Sequence, residues 1–269
     1  MTARWPSWHI RTHLLLWGSC IGQAFKRDLQ FRSQTLINGL SSVLELGLSA
    51  IPVLILTRDA GAASGWNGPR AVAVVGAYGA GSGIIDCFVA PNMRRIDLYV
   101  RRGDLDLMLI RPVNAFLHTA LRWIEPAELG RVVTGLGLLA LALRTGDVSV
   151  AWSTLLTAAA WAIIGIIGYS LIWANFVYLA FWADSAEPMN DVAVQLREAG
   201  KYPLAYFSKP VRLLLRTLVP AGLIAATPVD VLTGNSSALW AGACGLVIAV
   251  TVTAVHWRVA IRRYSSASS

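Results

Sequence analysis

The stretch from residue 151 to residue 182, AWSTLLTAAAWAIIGIIGYSLIWANFVYLAFW, contains no charged side chain. As one helix it would extend about 48 Å, which exceeds the roughly 30 Å hydrocarbon core of a bilayer. We expect a single tilted helix that reaches into the cytoplasm. The alternative is a pair of short spans broken near Gly165 and Gly168, with residues 184–236 outside the cell.

The rest of the chain repeats this pattern of apolar stretches separated by short charged segments. Hydrophobic residues make up 55% of the 269 residues and charged residues 14%, and the mean hydropathy is +0.55. A soluble domain normally carries about 25% charged residues. The sequence therefore predicts an all-α polytopic membrane protein in which residues 1–269 form a single transmembrane domain. Its six expected spans cover approximately residues 36–57, 71–90, 127–145, 151–182, 211–228 and 237–260.

The N-terminal segment predicts a helix in the membrane interface, over approximately residues 8–31. Its apolar residues recur every three or four positions, as in an amphipathic helix. The alternative is a removed lipoprotein signal, because Cys20 follows a short apolar run. No branched aliphatic residue stands in the three positions before Cys20, and charges resume at once with Lys26 and Arg27. These features favour the interfacial helix.

Arginine and lysine are crowded on one side of the predicted spans. All but three of the 23 basic residues fall in the N-terminal segment, the loops after spans two and four, or the C-terminal end, the exceptions being Arg58, Arg70 and Arg144. Basic loops stay in the cytoplasm, so both termini are expected there, in the inner or plasma membrane of the cell. These loops and anionic lipid headgroups explain the net charge of +8, and no nucleic acid partner is expected.

Enzyme and nucleotide-binding signatures fail on spacing. Ser82 lies in a glycine-rich run, but a nucleophile elbow needs glycine where Ala80 stands. The pair Gly200-Lys201 is followed by Tyr202, so it lacks the Ser or Thr of a phosphate-binding loop. The three cysteines and four histidines show no metal-ligand spacing. We expect no catalytic residue, metal or cofactor on this chain.

Two acidic residues fall inside predicted spans. Glu45 lies near the middle of span one and Asp86 toward the cytoplasmic end of span two. Charges at such depth usually face a cavity or a partner group. Glu45 therefore either lines a substrate path that favours cations, or forms a structural pair with a hydroxyl or basic side chain. Trp161 and Trp173 lie deep enough to contact a flat apolar substrate, although packing would also explain them.

Span two carries a face of small residues that includes Gly79 and Gly83. Small residues let helix backbones approach closely in lipid. The face predicts either packing within this chain or a seam between two copies.

The loop over residues 91–128 is basic and contains Arg101-Arg102-Gly103-Asp104-Leu105-Asp106-Leu107-Met108-Leu109-Ile110-Arg111-Pro112-Val113-Asn114. Gly103 and Pro112 delimit a predicted two-turn helix, with acidic residues at its N-terminal end and Arg111 at its C-terminal end, as the helix dipole favours. Leu105, Met108 and Leu109 are expected on one face. That face would lie on lipid or dock into a groove of another protein.

The pattern R-x-G-D-L-D-x-x-L-x-R-P-x-N at this place in a six-span chain resembles the ABC-2-type permeases, and most closely the branch called ABC-2 family transporter protein. The run Lys201-Tyr202-Pro203-Leu204 with Pro220 and Pro228 is also similar to that branch. The resemblance implies a pair of permeases, of the same or related chains, assembled with an ATPase dimer that carries ATP and Mg²⁺. It also implies that the loop after span two couples the two. The coupling role is carried onto Arg101, Arg102, Gly103, Asp104, Asp106, Arg111 and Pro112.

The expected function is export of a small amphipathic or cationic substrate, such as a drug-like compound or a peptide. Two alternatives come from other classes of protein. A membrane-embedded enzyme would need catalytic groups that converge inside the bilayer, for which Glu45 and Asp86 are the candidates. A non-transporting anchor or sensor subunit would need no coupling loop.

Overall fold

The computed structural model of the chain describes residues 9–64, 68–110, 114–146, 148, 150–183, 185–202, 204–234 and 239–263. Within these ranges the secondary structure is helical, with no strand, so the all-α class is confirmed. The thirteen α-helices of the described residues are α1 His9–Gln30, α2 Arg32–Ser64, α3 Gly68–Phe88, α4 Ala90–Arg102, α5 Asp104–Leu109, α6 Ala115–Leu121, α7 Leu129–Thr145, α8 Trp152–Val177, α9 Glu187–Glu198, α10 Lys209–Arg216, α11 Ala221–Ile224, α12 Ala226–Leu232 and α13 Leu239–Arg263.

Five helical segments of the described chain are long and apolar enough to cross a bilayer. They are Arg32–Ile55, Gly68–Arg102, Pro126–Thr145, Trp152–Phe181 and Gly242–Arg263. They lie on five of the six stretches that the hydropathy pattern indicates. The second segment contains α3, which forms the centre of the molecule, because 78% of its most apolar window is buried.

The uncharged run that contains α8 forms one continuous helix, extended by a 3-10 turn over Tyr178–Phe181. Gly165 and Gly168 do not break it. A Cβ at Gly165 would lie 2.4 Å from the carbonyl carbon of Leu223. This glycine therefore permits a close approach of another chain segment to α8.

The predicted span over residues 211–228 is wrong as a continuous helix. The structure has three short helices there, since α10 ends at Arg216, α11 spans four residues, and α12 begins at Ala226. Pro220 and Pro228 supply no backbone N–H to a helical ladder, which favours the breaks in this segment. The segment is nevertheless buried from Ala221 to Leu232.

Helix α9 packs against the half of α8 nearest its C-terminus. The indole Nε1 of Trp173 donates to Oδ1 of Asn190 at 2.8 Å. One turn further along, the hydroxyl of Tyr169 donates to the carbonyl of Ala193 at 2.5 Å. The residue number rises on α9 as it falls on α8, so the two helices are antiparallel.

Helices α11 and α12 continue the path of α9 along α8. Leu223 meets Gly165, and further along Ala158 packs with Val231. Between the two halves, residues 199–220 leave the α8 surface and return to it. A Cβ at Gly200 would lie 2.6 Å from the carbonyl oxygen of Ala221, so the excursion closes on itself at this point.

Helices α8 and α13 are parallel neighbours. Gly242 lies against the ring of Trp161, and further along both helices Asn175 Nδ2 donates to Thr253 Oγ1 at 2.7 Å. The chain between them therefore has to return from the C-terminal end of α8 to its N-terminal end. The path of α9, α11 and α12 makes that return.

The small-residue face of α3 packs against α7 within this chain. A Cβ at Gly76 would lie 2.6 Å from the backbone nitrogen of Leu139, and one at Gly135 would lie 2.4 Å from the nitrogen of Ala80. A Cβ at Gly79 would lie 3.3 Å from the Cα of Gly135. Of the two uses the sequence left open, the structure has the intramolecular one.

Candidate functional site

Four charged side chains from four helices meet at the end of α3 nearest its C-terminus. Asp86 on α3 accepts from Nη1 of Arg131 on α7 at 3.0 Å and from Nη1 of Arg197 on α9 at 2.7 Å. Arg131 also pairs with Glu45 on α2 at 3.1 Å. We call Glu45, Arg131, Asp86 and Arg197 the charge cluster.

The charge cluster is electrically balanced, with two carboxylates and two guanidinium groups. Arg131 is 5% exposed and Arg197 is 4% exposed. An unpaired charge in such a place is strongly unfavourable, whereas a mutually paired set is tolerated. The cluster therefore fixes α9 to the centre of the molecule through its buried members, Asp86, Arg131 and Arg197.

A second polar contact lies two turns nearer the N-terminus of α3. The hydroxyl of Tyr78 donates to Oε1 of Glu198 at 2.6 Å, and Glu198 also forms an ion pair with Lys201. These contacts hold the end of α9 where the chain turns away at Gly200. Two levels of α3, at Asp86 and at Tyr78, thus hold two adjacent residues at the C-terminal end of α9.

A third polar group joins the other end of α3 to the chain between α8 and α13. We call this chain, from residue 186 to residue 232, the broken segment. Asp230 on α12 pairs with Arg70 on α3 at 2.8 Å and with Arg216 on α10 at 3.3 Å. The count of basic residues had placed Arg70 and Arg216 on opposite sides of the membrane, and that placement is wrong. A count by loop cannot detect that residues 199–220 double back, so Arg216 was assigned with its sequence neighbours.

The four residues expected along a substrate path have different surroundings. The side chain of Glu45 is 67% exposed on a face of α2 whose apolar residues are also open. Asp86 is enclosed by its two arginines, and Trp173 is 0% exposed. Trp161 is half-buried against Gly242. Of these four residues, Glu45 is the one that reaches a surface. Glu45 also forms an ion pair with Arg131, which is the structural pairing that the sequence left open.

The predicted coupling loop folds as α4, α5 and α6. Gly103 separates α4 from α5 and has φ 76°, a left-handed conformation that glycine adopts without strain. Asp104 and Asp106 lie in the first turn of α5, as expected. Arg102 and Asp104 are exposed, and Arg101 forms an ion pair with Asp97. Arg111 and Pro112 lie outside the described residues.

The apolar face expected to dock on lipid or on a partner is already covered. Leu105 and Met108 are each 2% exposed and pack with Tyr99 and Trp123. The interpretation of Leu105 and Met108 as docking residues is therefore wrong. The exposed apolar side chains at this tip are Leu107, Leu109 and Ile110.

One contact joins the loop region to the broken segment. Oδ1 of Asp97 on α4 accepts from the backbone N–H of Ala186, the residue before α9, at 3.3 Å. Asp97 is 4% exposed. The same carboxylate holds Arg101, so α4 connects the tip at Gly103 with the start of α9.

Sequence reasoning missed three members of this arrangement. Arg131 and Arg197 were counted as loop charges, and Asp97 was not singled out. Arg131 gave a signal, because it stands inside an apolar stretch like Asp86. Arg197 gave none, since its neighbours are as polar as those of any surface helix. Among the described residues, no group of three His, Cys, Asp or Glu side chains converges as metal ligands would.

The residues that the structure describes form helices and no strand, and five of their helical segments are apolar candidate spans, which defines a multi-pass membrane protein. Residues 43–268 match the family model described as ABC-2 family transporter protein, and the chain belongs to that family. The resemblance indicated by the loop motif is thereby confirmed. No curated protein and no solved structure matches the chain. Membership makes this chain a permease component of an ABC transporter, a kind of membrane subunit that is generally non-catalytic and normally pairs with an ABC ATPase.

Proposed function

We propose that this chain is the permease subunit of an ATP-driven exporter that moves a small amphipathic or cationic substrate out of the cell. The observation that carries the proposal is the continuous connection from the exposed tip at Gly103, through Asp97, to α9 and the charge cluster. It supplies a mechanical route from a site where an ATPase could dock to a carboxylate that faces the surface.

The broken segment supplies the crossing that brings the number of spans to six, and it is the fifth in sequence order. Helices α8 and α13 are parallel, so a chain that spans the bilayer in both must return across it between them. Helix α9 supplies one half of the return and α11–α12 the other. Non-helical backbone is tolerated at membrane depth where it is enclosed by protein, and residues 221–232 are buried in this way. Both termini then lie on one side, which the basic residues assign to the cytoplasm.

The tip formed by the end of α4 and by α5 contacts the ATPase dimer, which binds ATP and Mg²⁺. Arg101, Arg102, Gly103, Asp104, Asp106, Arg111 and Pro112 shape this contact. Leu107 and Ile110 add an apolar patch, since they are 59% and 78% exposed. Helix α5 rests on Tyr99 and Trp123 through Leu105 and Met108, so a push on the tip moves α4 as well.

Glu45 lines the substrate path on a face that a second permease, the same or a related chain, shares. Contact of a carboxylate with lipid tails is energetically unfavourable. The exposure of Glu45 in the middle of an apolar helix therefore indicates that it faces a hydrated cavity. A negative wall would select cations. Asp86 and Trp173 both contact α9 and would be reached when α9 moves relative to α3. Trp161 lies apart from them, against Gly242 on α13, and would contact substrate only where the path extends along α8.

ATP-driven closure of the ATPase dimer would displace α4, and Asp97 would transmit the displacement to α9. The contacts of α9 with Asp86 and Tyr78 are ion pairs and hydrogen bonds, which can exchange partners between two arrangements. Access to the cavity would alternate as they exchange.

Asp104→Lys tests this function. Reversal of charge at an exposed position of the tip leaves the fold intact, and we expect it to abolish the substrate-stimulated ATPase activity of the assembled transporter. Asp191→Lys, an equal change at an exposed position of α9, is the matched control. Stimulated activity that persists in Asp104→Lys would show that this tip is not the coupling site. Export that is absent in the wild-type complex would favour an anchor or sensor subunit.

A further inference from the structure

A basic cavity of about 330 Å³ lies between α4, α5 and α6, away from the charge cluster. Three guanidinium groups line it, from Arg95, Arg102 and Arg122, against one carboxylate, from Asp104. The lining therefore carries an excess of positive charge. We call it the basic cavity.

The floor of the basic cavity is Trp123, which is fixed before any ligand arrives. Asn92, fully buried, donates to the backbone oxygen of Trp123 at 2.8 Å and accepts from its nitrogen at 2.7 Å. The indole Nε1 donates to the hydroxyl of Tyr99 at 2.5 Å. The guanidinium carbons of Arg95 and Arg122 lie 4.5 and 5.3 Å from the ring centroid. The ring thus contacts two like charges.

Two of the cavity arginines retain unused hydrogen-bond donors. Within the described part of the chain, the side chain of Arg102 makes no hydrogen bond or ion pair, and the side chain of Arg122 makes only its contact with the Trp123 ring. Arg95 donates to the carbonyl of Pro91 at 2.6 Å. Guanidinium groups offer paired donors that match phosphate oxygens. The geometry and the charge of the basic cavity therefore suit a phosphate.

A second, apolar cleft of about 160 Å³ adjoins the basic cavity. It lies between α1 and α6, it is lined mainly by Leu16, Trp17, Leu117 and Leu121, and Arg122 borders both spaces. Along α1, the apolar side chains of Leu15, Phe25 and Leu29 are exposed. This is the face that an interfacial helix buries in a bilayer.

We infer that the two spaces together bind one anionic phospholipid, with its phosphate in the basic cavity and the first part of an acyl chain in the apolar cleft. An acidic segment of a protein partner would use the basic cavity alone and would leave the apolar cleft empty. The position also fits a headgroup, because the backbone N–H of Glu125 donates to the carbonyl of Cys87 at 2.9 Å and so places Trp123 beside the last turn of α3. This inference does not depend on transport.

The test is lipid titration of the purified full chain in neutral detergent micelles, followed by native mass spectrometry. We expect dioctanoyl phosphatidylglycerol to bind more tightly than dioctanoyl phosphatidylcholine, and glycerol phosphate, which lacks the chains, to bind weakly. Arg102→Gln with Arg122→Gln should weaken binding of the anionic lipid at least about tenfold, because each arginine contributes to attraction of an anionic headgroup. Leu117→Ser should weaken binding of the anionic lipid and leave binding of glycerol phosphate unchanged.

The matched control is Arg94→Gln with Arg258→Gln, which removes the same charge from exposed positions outside both spaces. It should bind the anionic lipid as the wild type does. Equal weakening in the control would reduce the effect to net charge and overturn the site. Equal binding of glycerol phosphate and lipid would overturn the role of the apolar cleft. If the variant with Arg102→Gln and Arg122→Gln binds the anionic lipid as tightly as the wild type does, the basic cavity does not hold the phosphate and the inference fails.

Discussion

Arg197 on α9 donates to Asp86 on α3 at 2.7 Å, and this contact links two residues 111 positions apart at the centre of the molecule. The contact joins two different helices, so it depends on the tertiary fold. The pair fixes the first half of the broken segment to the most buried helix, and it ties the position of α9 to Arg131 and Glu45 through the shared carboxylate.

Removal of Asp86 and Arg197 together should destabilise the protein by less than the sum of the two single removals. Arg197→Gln leaves one excess negative charge and Asp86→Asn leaves one excess positive charge, each at a cost of about 3–5 kcal/mol. The double variant keeps the balanced pair of Arg131 and Glu45, so its loss should be at least about 1 kcal/mol smaller than the sum of the single losses. The free energy of unfolding in mixed micelles measures this.

Asp191→Asn is the control for that series, since Asp191 is exposed on the same helix and should leave stability unchanged. Strict additivity of Arg197→Gln and Asp86→Asn would mean that the two side chains do not interact in the folded protein.

The glycine at the crossing of α8 and α11 should not tolerate a methyl group. A Cβ at Gly165 would lie 2.4 Å from backbone atoms of Leu223, which cannot rotate away. We expect Gly165→Ala to lower the free energy of unfolding by about 1–3 kcal/mol, as overpacking does. Gly137 on α7 has nothing within 4 Å of the same position, so Gly137→Ala should be neutral or stabilising by up to about 1 kcal/mol. A similar effect of both substitutions on the melting temperature would argue against the close contact of α11 with α8.

Glu45→Gln should separate stability from transport. The side chain is 67% exposed and Arg131 keeps its second partner, Asp86, so the protein should fold and insert normally. Loss of the negative wall should reduce export of cationic substrates at least tenfold, while neutral substrates change little. A panel of cationic and neutral dyes in inverted vesicles with the ATPase checks this. Unchanged cation export by the folded variant would remove Glu45 from the substrate path.

The long apolar helices could be predicted from the sequence because their signal is local. The run over residues 151–182 carries no charge, and a helix is the way a single chain satisfies its backbone groups in lipid. The motif around Gly103 was equally local, since glycine at the end of α4 and acidic residues after it follow from helix capping and the helix dipole.

The broken segment could not be predicted in the same way. Helix α9 contains Asn190, Arg197 and Glu198, which a hydropathy window reads as a surface helix. Each of these is compensated by a partner distant in sequence, from Trp173, Asp86 and Tyr78 respectively. Tertiary pairing makes the segment fit the interior, and no pattern along the chain records it. The same limit explains why Leu105 and Met108 were taken as a docking face.

We propose that the chain crosses the bilayer six times, with α9, α11 and α12 as the fifth crossing in sequence order. Labelling of single cysteines by a membrane-impermeant maleimide in intact cells, with the native cysteines replaced, tests it most directly. We predict that Thr233→Cys, after α12, is labelled from outside, whereas Leu107→Cys and Arg263→Cys are labelled only after the membrane is opened. Labelling of Thr233→Cys and Arg263→Cys from the same side would contradict the account.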